Sequence, residues 1–324
     1  MIQPGPMKLL AGNANPQLAR DIADYLETSL TEAQVTRFAD SEIRVKINES
    51  VRGSDVFVIQ PTCPPASENL MELLVMIDAL KRASAARITA VIPYYGYARQ
   101  EKKVKPREPI TAKLVADLIS VAGAQRVITV DLHVQSIQGF FNIPVDHLYA
   151  GPILADYLSE IGLRGQDTVV VSPDVGGVGG AMAFADRLQA SVAVIAKRRP
   201  EPNQVEAIEL IGEMDGHRAV LVDDIIDTGG SLVAAADALH RRGAAEVFAC
   251  ATHGVLSGPA IEHLAGAAIE EVVLTDTIPV PSNRLLPKMR VLSVAPMLAE
   301  AIKRVHAHES VSTLFERYWV EEKR

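Results

Sequence analysis

The sequence predicts an α/β protein with mostly parallel sheets flanked by helices. Near-continuous apolar, β-branched runs recur along the chain, as strands buried on both faces require. Helical patterns with legible ends alternate with these runs, and basic or Pro-rich loops follow directly on strand ends, where α/β proteins bind ligands. The 324 residues suggest two domains or one large one, at about 150 residues per domain. Hydrophobic residues at 48% and charged residues at 22% are ordinary for a folded protein and exclude a disordered chain. With 32 Lys+Arg against 40 Asp+Glu, the net charge of −8 gives no bulk attraction to nucleic acid or anionic membrane. Any anion site must be local.

The strand candidates, in order, are 55–60 (DVFVIQ), 87–92 (RITAVI), 126–131 (RVITVD), 168–174 (TVVVSPD), 191–197 (SVAVIAK), 218–224 (RAVLVDD), 246–253 (EVFACATH) and 271–276 (EVVLTD). Asn15 and Pro16 form an N-cap and first turn ahead of Leu18, Ile22 and Leu26. Ser67 and Glu68 open a second helix through Leu70, Leu73, Leu74 and Ile77. Between them, Ile43, Val45 and Ile47 alternate with charged residues, which reads as a half-exposed antiparallel strand or flap. The stretches 98–109 (ARQEKKVKPREP) and 197–204 (KRRPEPNQ) read as exposed loops. Strand–helix content is similar on either side of residue 150, which suggests a duplication, although no residue-level repeat is found.

Cys63 and Cys250 are too few for a disulfide framework or a zinc set, and fit reduced thiols packed in a core. The N-terminal segment lacks a signal-peptide pattern, and no apolar run approaches the about 18 residues of a membrane span. The expectation is a cytoplasmic protein.

The segment 219–231 (AVLVDDIIDTGGS) carries the strongest chemical signal. An apolar strand delivers Asp223 and Asp224 to the sheet edge, and Asp227, Thr228, Gly229, Gly230 and Ser231 turn into a helix. Glycines let backbone N–H groups approach a phosphate, hydroxyls add donors, and the helix N-terminus favours an anion. The carboxylates suit sugar hydroxyls or a cation. A bland reading, an ordinary strand–turn–helix capped by Asp227, stands beside this one.

This acidic pair followed by T-G-G-S resembles the ribose-5-phosphate signature of the type I phosphoribosyltransferases. The further segments IPYYGYARQEKKVKPREPITAKLVADL, VITVDLHVQSIQGFFNIPVDHL, VVVSPDVGGVGGA and AKRRPEPN, in this order, resemble the ribose-phosphate pyrophosphokinases from about Lys8 to about Phe315. The resemblance implies two phosphoribosyltransferase type I-like domains. Residues 1–149, with the C-terminal helix 304–324 packed back on them, would form one, and residues 150–303 the other. The implied reaction is Mg²⁺-dependent transfer of the diphosphoryl group of ATP to the anomeric hydroxyl of ribose 5-phosphate, with AMP as co-product.

Such a displacement at the β-phosphorus asks for metal and cations on nucleophile and leaving group. By resemblance His133 and Asp174 ligate Mg²⁺, while Lys197 and Arg199 are the catalytic cations. Read alone, His133 is more often a hydrogen-bonded core or strand-end histidine, Asp174 a turn residue beside Pro173, and the two cations a solvated pair in a loop. The resemblance assigns ATP to Phe38, Asp40, Ser41, Glu42, Arg99 and Gln100. Ribose 5-phosphate falls to Arg199, Asp223, Asp224 and the turn from Asp227 to Ser231. Phosphate and ADP, as effectors of a homohexamer, would meet Ser50, Arg52, Lys102, Lys103, Lys105 and the segment Ser310, Val311, Ser312, Thr313, Leu314 and Phe315 at an intersubunit site. The chain departs from many relatives at Gly179 and Gly180, where a residue followed by arginine is usual, and at Glu201, where arginine is common.

Other classes remain open at this point. A phosphoribosyltransferase acting on a base would use 219–231 but leave the YARQ, DLH and KRR segments idle. A noncatalytic regulatory subunit would interrupt the KRRPEPN loop, which is intact here. An RNA-binding regulator fits poorly with the acidic net charge.

Overall fold

The computed structural model describes residues 5–198 and 207–314. Its elements begin with β1 (Met7–Ala11), α1 (Pro16–Tyr25), β2 (Ala33–Arg37), β3 (Ile43–Ile47), β4 (Asp55–Ile59), α2 (Ala66–Arg82), β5 (Arg87–Ile92), α3 (Thr111–Ala122), β6 (Arg126–Val130) and β7 (Val145–Leu148). They continue with α4 (Gly151–Glu160), β8 (Thr168–Ser172), α5 (Val178–Leu188), β9 (Ser191–Arg198), β10 (Ala207–Ile211), β11 (Arg218–Ile226) and α6 (Gly230–Arg241). The last are β12 (Glu246–Gly254), α7 (Ala260–Gly266), β13 (Val272–Thr275), β14 (Met289–Leu292) and α8 (Ala295–Ala307). All eight β-branched runs of the sequence are strands. The strands β1, β7, β10 and β14 are not among those runs.

The chain divides into two compact units. The first takes the residues up to Tyr149, Thr277–Pro279 and those from Ser293 on, and the second takes Ala150–Asp276 and Val280–Leu292. The expected return at residue 304 thus starts earlier, because α8 is one helix whose apolar residues Leu298, Ala299, Ile302 and Val305 are all buried. Nor does the expected helix 304–324 continue: α8 stops at Ala307, His308 takes a left-handed conformation, a short turn follows at Ser312–Leu314, and the residues beyond Leu314 lie outside the described ones.

In the first unit the sheet order is β1-β4-β5-β6-β7, with every pairing parallel. Period-two alternation sends Leu10, Val56, Val58, Ile88, Ala90 and Ile92 into one core with α2 and α3, while Leu9, Phe57, Ile59 and Val91 are buried on the other face. Asn15 caps α1, its Oδ1 accepting from the Leu18 N–H at 3.2 Å, with Pro16 in the first turn. The start of α2 differs from expectation: it begins at Ala66, after a Pro65 N-cap with no side-chain cap bond, and the Ser67 hydroxyl bonds the Tyr97 hydroxyl instead at 2.8 Å. The alternating segment is a hairpin, β2 against β3, antiparallel from Ala33↔Ile47 to Arg37↔Ile43. Its Ala33, Val35, Val45 and Ile47 pack on the core while the charged alternates face solvent. Buried Asp55, the first residue of β4, accepts from Arg87 Nε at 2.7 Å and pairs with His306 Nδ1 at 2.8 Å, which fastens α8 to the amino edge of the sheet.

In the second unit the order is β10-β9-β8-β11-β12-β13-β14. All pairings are parallel except that of β10 with β9. Val169, Val171, Ala219, Leu221, Val247 and Ala249 face one core with α6 and α7, and Val170, Val220, Cys250 and Val273 face another with α4 and α5. Chain order runs outward from β8 to β9 and β10, then returns to β11 on the other side of β8. That reversal leaves a crevice at the carboxyl ends of β8 and β11. Both cysteines are buried and unpaired, and among the described residues no helix is long and apolar enough to cross a membrane.

Candidate active site

The crevice between β8 and β11 collects three carboxylates. Asp174 lies two residues past β8, where Ser172 Oγ donates to its carbonyl at 2.7 Å and its Oδ1 accepts from the Gly177 N–H at 2.9 Å. Asp223 and Asp224 ride on β11, beyond its last pairing with β8 at Leu221↔Val171. The Asp224 N–H donates to Asp223 Oδ1 at 2.8 Å. Burial, a shared hydrogen bond with Asp224, and the charges of Asp224 and Asp174 together push the Asp223 carboxyl up to about 7. A crowd of this sign favours a cation or hydroxyl donors.

The next turn is built for close approach. Gly229 is the N-cap of α6 with φ +75°, a left-handed conformation that glycine adopts without strain. As a glycine, the N-cap of α6 makes no side-chain cap bond, which leaves leading N–H groups to an incoming acceptor. The turn is braced from behind. Ser257 Oγ donates to Asp227 Oδ1, and His263 Nδ1 donates to the Thr228 carbonyl at 2.8 Å. Neither Ser257 nor His263 carries a sequence signal: Ser257 reaches the turn from the connection after β12, where the Leu256 N–H donates to the Ile226 carbonyl at 3.0 Å, and His263 reaches it from α7, packed on α6.

In the first unit, Phe38, Asp40, Ser41 and Glu42 form the connection of the β2–β3 hairpin. The Phe38 N–H donates to the Glu42 carbonyl at 2.8 Å, the Ser41 N–H to the Phe38 carbonyl at 2.9 Å, and Ser41 has φ +75°. Phe38 is 51% exposed, with the Arg44 guanidinium 5.5 Å from its ring centre. Arg99 and Gln100 lie in the turn after β5. The Gln100 carbonyl accepts from the Ala112 N–H at 3.2 Å, and its Oε1 from Thr111 Oγ1 at 2.6 Å. Gly96 opens this turn because a Cβ there would stand 2.3 Å from the Thr62 carbonyl oxygen. Hairpin and turn lean on the same helix start: Arg37 pairs with Glu68 at 2.6 Å and Tyr97 with Ser67.

His133 is exposed, three residues past the end of β6. It belongs to the first unit and Asp174 to the second. Lys197 does not open a loop: it pairs with Ile208 on the antiparallel β9–β10 rungs, and β9 continues to Arg198. Arg199, Glu201 and Phe315 lie outside the described residues. Gly179 and Gly180 fall in the first turn of α5, with open space where a Cβ would project.

The effector candidates fall into two groups within one chain. Lys102, Lys103 and Lys105 follow the carboxyl end of β5, where Lys102 pairs with Glu101 at 2.9 Å and the N–H of Lys105 donates to Glu108 at 2.8 Å. Ser50 and Arg52 precede β4, at the opposite edge, and Arg52 donates to Ser84 Oγ at 3.2 Å. Ser310 and Val311 also lie at that edge, lining a cavity with Arg87 and Arg126, which start β5 and β6. There Arg304 donates to the Ser310 carbonyl at 3.1 Å and to Thr313, and Ser310 and Ser312 share a hydrogen bond of 2.7 Å. Leu314 ends the short turn that follows.

An open α/β sheet with an acidic pair and a glycine turn at its switch point defines a phosphate-handling protein of the sugar-phosphate-binding kind. The N-terminal domain of ribose phosphate pyrophosphokinase matches residues 7–123, and a phosphoribosyl synthetase-associated domain matches residues 196–316. A ribose-phosphate pyrophosphokinase of Caldanaerobacter subterraneus subsp. tengcongensis is 60% identical over 95% of this chain and 98% of its own length. One of Clostridium perfringens is 56% identical over 96% and 98%. The crystal structure of phosphoribosylpyrophosphate synthetase from Mycobacterium smegmatis superposes with a TM-score of 0.89 at 46% identity, over 94% of this chain and 99% of that one. The chain belongs to the ribose-phosphate pyrophosphokinase family.

Proposed function

We infer that this protein is a ribose-phosphate diphosphokinase (EC 2.7.6.1). It transfers the diphosphoryl group of ATP to the anomeric hydroxyl of ribose 5-phosphate, giving 5-phosphoribosyl 1-pyrophosphate and AMP for nucleotide synthesis. The observation that carries this reading is full-length identity to that family, joined to the Asp223–Ser231 turn at the β8/β11 reversal. In our reading the turn from Asp227 to Ser231 receives the 5-phosphate through backbone N–H groups and the Thr228 and Ser231 hydroxyls. Asp223 and Asp224 accept from the ribose hydroxyls. The adenine of ATP stacks on exposed Phe38, with Asp40, Ser41 and Glu42 as polar partners, and Arg99 and Gln100 meet its phosphates. Lys197 and Arg199 neutralise the oxygens of the group in flight, a role that acts on the transition state rather than on binding.

Mg²⁺ fits the second unit on chemical grounds, since Asp174 offers a hard oxygen donor in a crevice whose crowded carboxylates already favour a cation. His133 is the softer proposed ligand. The metal would supply charge neutralisation on the phosphate oxygens. We place the reaction in the cytoplasm, in keeping with two unpaired cysteines. We further read the protein as a homohexamer with phosphate and ADP as effectors. The split of the effector residues between two edges of one sheet supports a site completed by more than one chain.

The test is a product assay with ATP, Mg²⁺ and ribose 5-phosphate. AMP and 5-phosphoribosyl 1-pyrophosphate should rise in equal amounts. ADP in place of AMP would mean a single phosphoryl transfer, and consumption of added 5-phosphoribosyl 1-pyrophosphate with a base would mean a phosphoribosyltransferase.

A further inference from the structure

We propose that Asn13 is a positioning residue for ATP: held by the buried carboxylate of Glu72, it pins the β2–β3 hairpin and so sets where the 38–42 connection stands. The proposal rests on the reading that this connection holds the nucleotide. Glu72 lies on α2 and is 4% exposed. A carboxylate that deep is costly unless its oxygens are met by donors. Oε1 accepts from the Asn13 N–H at 2.6 Å and from Gln60 Nε2 at 2.9 Å, and Oε2 accepts from Asn13 Nδ2 at 3.0 Å. Asn13 therefore meets Glu72 with both backbone and side chain, which fixes its orientation.

The amide of Asn13 has a second hydrogen, and it goes to the hairpin. Nδ2 also donates to the Val35 carbonyl on β2 at 3.0 Å. Among the described residues β2 has one sheet partner, β3, and Asn13 meets it from outside that pair. The neighbours of Asn13 are fixed as well. A Cβ on Gly12 would stand 2.3 Å from Gln60 Oε1, the Ala14 N–H donates to that same oxygen at 3.1 Å, and Asn15 caps α1. This explains a G-N-A-N segment of which the cap uses only the last residue. Among the described residues a second polar tie to the hairpin, Arg37 to Glu68, joins two half-exposed side chains, so neither end of it rests on a buried group, whereas the exposed Asn13–Val35 bond is backed by buried Glu72. Asn13 is thus the tie that reaches the hairpin from a buried base.

Swapping donor for acceptor tests this. Asn13→Asp sets a carboxylate against both Glu72 and the Val35 carbonyl, and Glu72→Gln sets an amide donor against Asn13 Nδ2. Each single variant should lower the melting temperature and raise the KM for ATP about tenfold, with the KM for ribose 5-phosphate unchanged within about twofold. In the double variant the new amide at 72 keeps an acceptor for Gln60 and the backbone of residue 13, and its N–H₂ donates to the new carboxylate. The double variant should therefore regain most of the melting temperature lost by the single variants while its KM for ATP stays raised, because the Val35 carbonyl still lacks its donor. If the double variant regains the parental KM for ATP together with stability, the pair is merely structural and the proposal is overturned. The double variant keeps the test decisive even if the single ones do not fold. Phe38→Ala, measured alongside, separates the layers: an unchanged KM for ATP there overturns the nucleotide reading of the hairpin, whereas a raised one leaves the anchor to be judged on the double variant alone.

Discussion

In the second unit the strand order reverses between β8 and β11, and the crevice so formed receives Asp174, Asp223, Asp224 and the Gly229 turn from two adjacent strand ends. In the first unit the order runs from β1 to β7 without reversal, and its proposed ligand residues sit on an added hairpin and on the long turn between β5 and α3. A switch point supplies a cleft from topology alone, because two neighbouring loops leave the sheet in opposite directions. A sheet that progresses in one direction has no such cleft, so side chains must be carried to the ligand on excursions and held there by polar ties. The contrast predicts rigid, strongly coupled determinants in the second unit and adjustable ones in the first.

The largest effects should therefore come from the second unit. Lys197→Ala and Arg199→Ala should each cut kcat by about 100- to 1,000-fold with an unchanged melting temperature, and the double variant should lose little more than either single one. Near-normal turnover in either would remove the proposed catalytic cations. Next in size, Asp223→Ala should weaken ribose 5-phosphate by about 10- to 100-fold in equilibrium titration, far more than ATP. Gly229→Val should do the same through a branched side chain at positive φ, and should also lower stability. Equal losses for both ligands would break the assignment of one substrate to each unit.

A smaller effect sharpens the electrostatic side of the comparison. The Asp223 carboxyl is raised from an ordinary 3.8 to about 7, so the folded state holds its proton more tightly than the unfolded chain does. The stabilising contribution of this group is then complete below about pH 4 and is lost as pH rises through 7. In metal-free protein, Asp223→Asn should raise the melting temperature at pH 8 by about 4 °C more than at pH 5. A pH-independent gain would show that burial and the neighbouring carboxylates do not raise Asp223. The smallest effect belongs to the first unit's amino edge. Arg52→Ala should leave basal turnover near normal, since its hydrogen bond to Ser84 is exposed, while blunting activation by phosphate and any phosphate-induced growth in oligomer size seen by sedimentation. Should phosphate leave both unchanged in the parent protein, the effector residues are withdrawn.

Where a structural feature resides in contiguous chain, the sequence alone was sufficient. The apolar runs and their spacing determine the α/β class, Asn15–Pro16 the start of α1, the alternation at Ile43, Val45 and Ile47 the hairpin strand, and 219–231 the acidic pair and turn. Each depends on backbone periodicity or on residues within one turn of each other, and such local physics is written in local order. Tertiary structure decided everything that joins distant segments. It buried Asp223 beside Asp224 and Asp174 and so raised that carboxyl, brought Ser257 and His263 behind the turn, extended β9 through Lys197 by adding β10, and set Ser310 at the opposite edge of the sheet from Lys102. It also buried Glu72, a glutamate with nothing to mark it in a helix of ordinary pattern, against an asparagine 59 positions away. Burial and pairing of this kind follow from strand order and helix packing, which no window of sequence contains.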